Sequence, residues 1–242
     1  MTRRRWIADE FSADRAALLG AHAAHLARTL RAQVGQQFEI ACGDHVRRAT
    51  VASVAADRVE FALGEELPAN VIVPVTLLLA IFKFDRMEWA IEKCTELNVT
   101  RIVPVIARRT EKHLATVAEK RVERWRRIAR EASEQSRRVA PPEIAAPQKL
   151  KEAITPPVSA VVPGDLRIVL AETEQEAALP DLLRARDNLA SLALAIGPEG
   201  GWTADELQAF AVAQWISASL GDTILRAETA AIAALAIARA EI

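Results

Sequence analysis

From residue 71 onward the chain alternates apolar, strand-like runs with stretches of helical periodicity, and this alternation limits the possible folds more than any other feature. "VTLLLAIF", "RIVPVI", "RIVLA" (167–171), "SLALAI" (191–196) and "WISASL" (215–220) read as strands, the first apolar but for Thr76, as a buried strand is. Between them lie helical patterns. Met87, Ile91, Cys94 and Leu97 form one apolar stripe, with Asp85 as N-cap, Glu88 completing a capping box and Asn98 as a left-handed residue past the end. "TVAEKRVERWRRIAREASEQS" predicts an amphipathic helix with Val122, Trp125, Ile128, Ala129 and Ala132 on the apolar face, Trp125 as a packed core residue. "PPEIAAPQ" after it is irregular. The closing "AETAAIAALAIARA" is apolar nearly all round and must be buried, against the sheet and a second subunit. Strands and helices in this order predict a mostly parallel α/β sheet.

Residues 1–70 have a different texture. "QFEIA", "RATVASV" and "RVEFAL" are short strands separated by the turns "CGD" and "AAD". The exception is 14–31, where Leu18, Leu19, His22, Leu26 and Leu30 have helical spacing. "GEELPAN" (64–70) reads as a linker, so the expected organisation is a small β-barrel-like domain at 1–70 and an α/β domain at 71–242. The 242 residues suffice for this, and 51% hydrophobic with 26% charged residues is an ordinary globular composition. Cys42 and Cys94 make no disulfide framework and suit a reducing compartment. The longest apolar run, 71–82, is too short to span a bilayer, and no secretory h-region follows "MTRRRW". A soluble cytoplasmic protein is expected. The net charge of −1 hides an asymmetry: 101–138 holds 12 Lys/Arg against 5 Asp/Glu, whereas 172–242 holds 4 Arg against 11 Asp/Glu. A basic face for a polyanion is one reading of that asymmetry and a solvated helix face is the other.

Three of the strands end in unusual sequence: "VLAETE", "AIGPEGGW" and "SLGDTILRAET". Ligands of open α/β sheets bind at the carboxyl ends of strands, so three such ends together would make a pocket. Thr203 and Glu206 form a capping box that starts the next helix. The loop has no "GK[ST]" and does not match G-x-G-x-x-G, which excludes a P-loop and a dinucleotide fingerprint. Glu199 would repel a phosphate but accept a cationic or hydroxyl-bearing group such as an amino-acid moiety or a ribose. No metal-ligand spacing occurs, and His22, His25, His45 and His113 are remote from these segments. Cys94 sits on an apolar stripe as a core residue. Chemistry here must rest on positioning.

Six segments in order, "RRRWIADE", "HLARTLRAQVGQQFEI", "KFDRMEWAIEKCTELNV", "RWRRIAREASEQSRR", "IGPEGGWTADE" and "SLGDTILRAETAAIAAL", span nearly the whole chain. Together they resemble the RsmE-type 16S rRNA uracil-N3 methyltransferases of the SPOUT class. The resemblance implies a PUA-like β-domain followed by an α/β domain with a C-terminal trefoil knot, and a homodimer. It also implies S-adenosylmethionine as methyl donor, without a metal, and 16S rRNA of the small ribosomal subunit as partner. The implied donor site comprises Leu170, Ala171 and Glu172, then Gly197, Pro198, Glu199, Gly200 and Gly201, then Ser219, Leu220, Gly221, Ile224 and Leu225. The target uridine must be flipped or single-stranded, because N3 is blocked in a base pair.

A cation near O4 or O2 would stabilise the anion formed there, and Arg226 is the candidate for that role or for gripping the target's phosphate. Glu228 is the candidate to orient Arg226 or take the proton. For RNA phosphates the candidates are Arg3, Arg4, Arg28 and Arg31, with Arg108, Arg109, Arg137 and Arg138. Lys83, Arg86 and Glu134 lie in family-like motifs with no role assigned. Two departures stand out: Asn98 replaces the usual Gly of "TELGV", and "LGDTILR" replaces "LGPRILR", so Asp222 and Thr223 leave Arg226 as that loop's one cation. This substitution keeps open an RNA-binding assembly factor without catalysis, and a knotted enzyme acting on a ribose 2′-hydroxyl is a further alternative.

Overall fold

The computed structural model describes residues 4–68, 72–155, 163–186 and 188–242. It divides into two compact units, Met1–Val71 with Arg130–Pro141, and Ile72–Ala129 with Pro142–Ile242.

The first unit is built on β1 (Trp6–Ile7), β2 (Glu10–Phe11), β3 (Arg15–Leu19), β4 (Gln37–Cys42), β5 (His45–Val54) and β6 (Arg58–Leu67), in sheet order β1-β4-β5-β6-β3-β2. All pairs are antiparallel except β1 with β4. The helix expected over 14–31 is only partly formed. Ala16, Ala17 and Leu18 are buried in strand β3, with Leu18 opposite Val59 of β6, so cross-strand pairing overrides the local helical spacing. Gly20, at φ +52, ends the strand, and only α1 (Gly20–Ala24) and a wider π-type turn over His25–Thr29 are helical. The expected linker is shorter too, since Gly64–Leu67 continue β6 and Glu66 pairs with Arg47.

Residues 130–141 join this unit through charge. Glu134, fully buried, pairs with Arg4 and lies 3.6 Å from Arg130. Arg130 in turn reaches Asp9 at 2.9 Å and the Ile7 carbonyl at 2.7 Å.

In the second unit every strand pair is parallel: β7 (Val75–Ala80), β8 (Arg101–Ile106), β9 (Glu143–Ile144), β10 (Gln148–Lys149), β11 (Asp165–Leu170), β12 (Ser191–Ile196) and β13 (Ile216–Ala218). The order is β10-β8-β7-β12-β11-β13, with β9 also beside β8. Successive side chains of β7 serve opposite faces, as a pleated strand dictates. Leu77 and Leu79 pack with α2 (Phe84–Glu96), Trp125 of α4 (Val122–Gln135) and α8 (Ala227–Glu241). Leu78 and Ala80 pack on the other face with residues of α5 (Leu150–Ile154) and α7 (Ala204–Val212).

The α2 cap differs from the expected one. Lys83 is the N-cap, Asp85 sits in the first turn, and Glu88 instead takes a two-point ion pair from Arg124, at 2.6 and 2.8 Å. Asn98 does adopt φ +68 past that helix. The helix expected up to residue 136 is broken into α3 (Lys112–Val117), a 3₁₀ turn at Ala118–Arg121 and α4, and Trp125 is fully buried against Phe84. Among the described residues no helix is long and apolar enough to cross a membrane.

Candidate functional site

Three neighbouring parallel strands end together. In the β11–β13 ladder Leu170 lies opposite Ala218, and in the β11–β12 ladder Val169 lies opposite Ala195, so the chain leaves the sheet three times at one edge. The three departing loops, with Arg86 of α2 and Arg109 after β8, enclose a cavity of about 470 Å³. All thirteen residues named for a donor site line it: Leu170, Ala171 and Glu172; Gly197 to Gly201; and Ser219, Leu220, Gly221, Ile224 and Leu225. Arg226 lines it as well.

The glycine loop is shaped by close approach. Gly201 turns the chain at φ +69, and its N–H donates to the Pro198 carbonyl at 2.8 Å. A Cβ on Gly200 would lie 3.1 Å from Arg109 Cδ, closer than nearly all real contacts of that kind. That closeness lets Arg109 Nη1 donate to the Gly200 carbonyl, so Arg109 is a clamp on the loop. Glu206 provides a second tie. Its Oε2 accepts from the N–H of Thr203 at 2.8 Å, completing the expected capping box, and its Oε1 accepts from the N–H of Arg108 at 2.7 Å. A buried carboxylate thus binds the end of β8 to the loop after β12. Trp202 packs edge-on against Phe210, 5.0 Å between ring centres, and its buried Nε1 has no partner among the described residues.

The other two loops are held by backbone. Ser219 donates to the Ala177 carbonyl at 2.8 Å and accepts from Leu179 at 3.0 Å. Between them, Glu174 takes the N–H groups of Glu176 at 2.9 Å and Ala177 at 3.2 Å, which hold its pKa below the ordinary carboxylate value. Ile224 lines the cavity while remaining 79% exposed. Arg226 is the N-cap residue of α8, exposed, with no side-chain partner among the described residues. Glu228 pairs elsewhere: its side chain is buried, Oε1 lies 3.7 Å from Arg86 Nε, and Oε2 has no hydrogen-bond partner among the described residues. Among the described residues no group of three His, Cys, Asp or Glu is placed to hold a metal ion.

The arginines named for RNA fare differently. Arg3 lies outside the described residues. Arg4 is paired with Glu134 and lies over the Trp6 ring at 4.8 Å, Arg137 binds Glu39 at 2.6 Å, and Arg138 donates to the Ala140 carbonyl at 3.2 Å. Arg28 and Arg31 are exposed. Arg108 is exposed beside the cavity loop, and Arg109 belongs to the cavity wall. Sequence reasoning named Arg86 without a role, missed Trp202, and missed Arg109 as a wall residue. The strand-end rule applied to "RIVPVIARR" would have flagged Arg109. Arg86, in the first turn of a helix, carries no such signal.

The family model described as RNA methyltransferase domain matches residues 69–239. Ribosomal RNA small subunit methyltransferase E of Synechocystis sp. is 33% identical over 213 residues, covering 88% of this chain and 68% of that protein. The enzyme of the same name from Bacillus subtilis is 28% identical, covering 90% and 87%. The crystal structure of ribosomal RNA small subunit methyltransferase E from Neisseria gonorrhoeae bound to S-adenosyl methionine superposes with a TM-score of 0.83 at 28% identity, covering 96% of this chain and 95% of that one. The chain belongs to the RNA methyltransferase domain family and, within it, to the ribosomal RNA small subunit methyltransferases E.

Proposed function

We propose that this protein transfers a methyl group from S-adenosylmethionine to N3 of a uridine in the decoding region of 16S rRNA of the small ribosomal subunit. The observation that carries the proposal is the cavity itself, formed by three adjacent strand ends and wrapped by a glycine loop that is held by Arg109 and Glu206.

The residues present fit the donor. Leu170, Ile196, Leu220 and Leu225 offer apolar walls for a flat purine, and the glycine loop leaves its backbone close enough to approach. Glu172 and Glu199, both exposed at the cavity, suit an α-ammonium and a sulfonium and would repel a phosphate. When bound, the donor supplies an electrophilic methyl that leaves a neutral thioether. The protein's part is then to seat the uracil edge-on and to offset the negative charge that N3 acquires as its proton passes to solvent. Arg226, unpaired and exposed at the N-cap of α8, grips the target's phosphate. In the first unit Arg28 and Arg31 are exposed for backbone contacts, as an RNA-binding PUA-like domain requires. The reading includes a trefoil knot in the α/β domain, a homodimer and a cytoplasmic site of action.

The test is direct. Small subunits lacking this modification are incubated with the protein and labelled donor, and the RNA is digested to nucleosides for mass spectrometry. Label in 3-methyluridine is expected. Label in a 2′-O-methyl nucleoside, or none, overturns the proposal.

A further inference from the structure

Three arginines line the cavity, and they differ in what already holds them. The guanidinium of Arg109 is engaged by the Gly200 carbonyl. Arg226 is exposed and held by nothing among the described residues, so ordering it on a substrate costs conformational freedom at the moment of reaction. Arg86 is intermediate. Its side chain is only 32% exposed, and its Nε lies 3.7 Å from the buried Glu228 carboxylate, beyond hydrogen-bond distance but close enough for strong attraction. None of its N–H groups is hydrogen-bonded within the described residues. It is therefore a cation fixed in advance, facing the cavity, with its donors uncommitted. Glu228 itself does not line the cavity, and its side chain is only 8% exposed, so it is badly placed to take a proton from a substrate.

Electrostatic stabilisation of a transition state works best when the compensating charge is oriented beforehand and partly screened from water. On the function proposed above, the charge to be met is the one that spreads onto a carbonyl oxygen of uracil. The N3–H bond breaks with its proton passing to water, and the electron pair left on N3 forms the N–CH3 bond as the S–CH3 bond breaks. From this comparison we infer that Arg86 is the residue that meets the developing uracil oxyanion, with Glu228 as the positioning residue that holds it there.

The experiment uses the full chain and small subunits at saturating donor and RNA. Arg86→Gln is expected to lower kcat on the order of 10²- to 10³-fold, while donor affinity by calorimetry and subunit affinity stay unchanged. Arg86→Lys keeps the charge without the planar fork, and its kcat falls between the two, which separates loss of charge from failure to fold. Glu228→Gln loses a smaller factor in kcat and none in donor affinity. Subunits reconstituted on RNA carrying 5-fluorouridine, whose N3 proton leaves more readily, restore a larger share of the rate to Arg86→Gln than they add to the native protein. Arg226→Gln loses RNA affinity and shows no such rescue. An undiminished kcat in Arg86→Gln, a loss of donor affinity in place of rate, or equal effects of fluorination on all variants overturns the assignment. If the native protein methylates no uridine, the proposed function falls first, and that result is read before any variant is made.

Discussion

Gly201 carries the loop through φ +69, a region that a side chain enters at a cost of about 1–2 kcal/mol. Gly201→Ala should therefore lower the thermal midpoint by about 2–4 °C for every kcal/mol of stability removed, and weaken donor binding in calorimetry. An unchanged midpoint would show that the turn relaxes without strain. At this scale the sequence was most legible where it was least ordinary. "GPEGG" and "LGDTILR" pointed to the cavity because glycine, proline and charge break an apolar strand abruptly. Arg86 was illegible, since a charge in the first turn of a helix looks the same whether it faces water or a buried carboxylate. Glu134 was equally silent, and only its partners, Arg4 and Arg130, explain a fully buried charge.

Among the elements, the cavity depends on Glu206 joining the end of β8 to the start of α7. Glu206→Gln keeps the shape but sets an amide N–H against a backbone N–H, an unsatisfied pairing that costs about 1–3 kcal/mol. Urea denaturation should find that cost, and equal stability would mean that water replaces the tie. Cys94 reports on the layer between α2 and the sheet. Burial pushes its thiol pKa from 9.0 up to about 12. Below pH 9 the proton is held in both folded and unfolded chains, and between 9 and 12 the unfolded chain releases it first. Stability should then fall with rising pH across that window, more steeply in the native protein than in Cys94→Ala, as urea midpoints measured at successive pH values would show. Equal slopes would place the thiol in contact with water. Elements with one dominant neighbour were read well, as with β12 and the capped α7. The segment 14–31 was not, because Leu18 satisfies helical spacing and a pairing with Val59 equally, and the distant strand decides.

For the whole molecule, binding to rRNA should weaken with salt. Replacing Arg28 or Arg31 by Ala should reduce the slope of log affinity against log salt by about one for each phosphate that the arginine neutralises. A slope unaffected by either change would remove the first unit's exposed arginines from the interface. Sedimentation should give twice the 26.4 kDa chain mass if the proposed homodimer forms.

Two properties of the second unit were written in consecutive residues: that it is a parallel α/β sheet, and that three of its strands end in loops of unusual composition, which line one cavity. Periodicity and loop composition are local, so a linear reading suffices for both. Three others came from the folded chain alone: that β12 lies between β7 and β11, that 130–141 belongs with the first unit, and that Arg86 meets Glu228. These join residues far apart in the chain, and they are chosen by how whole faces pack and which charges can be buried together. No short stretch of sequence contains that information.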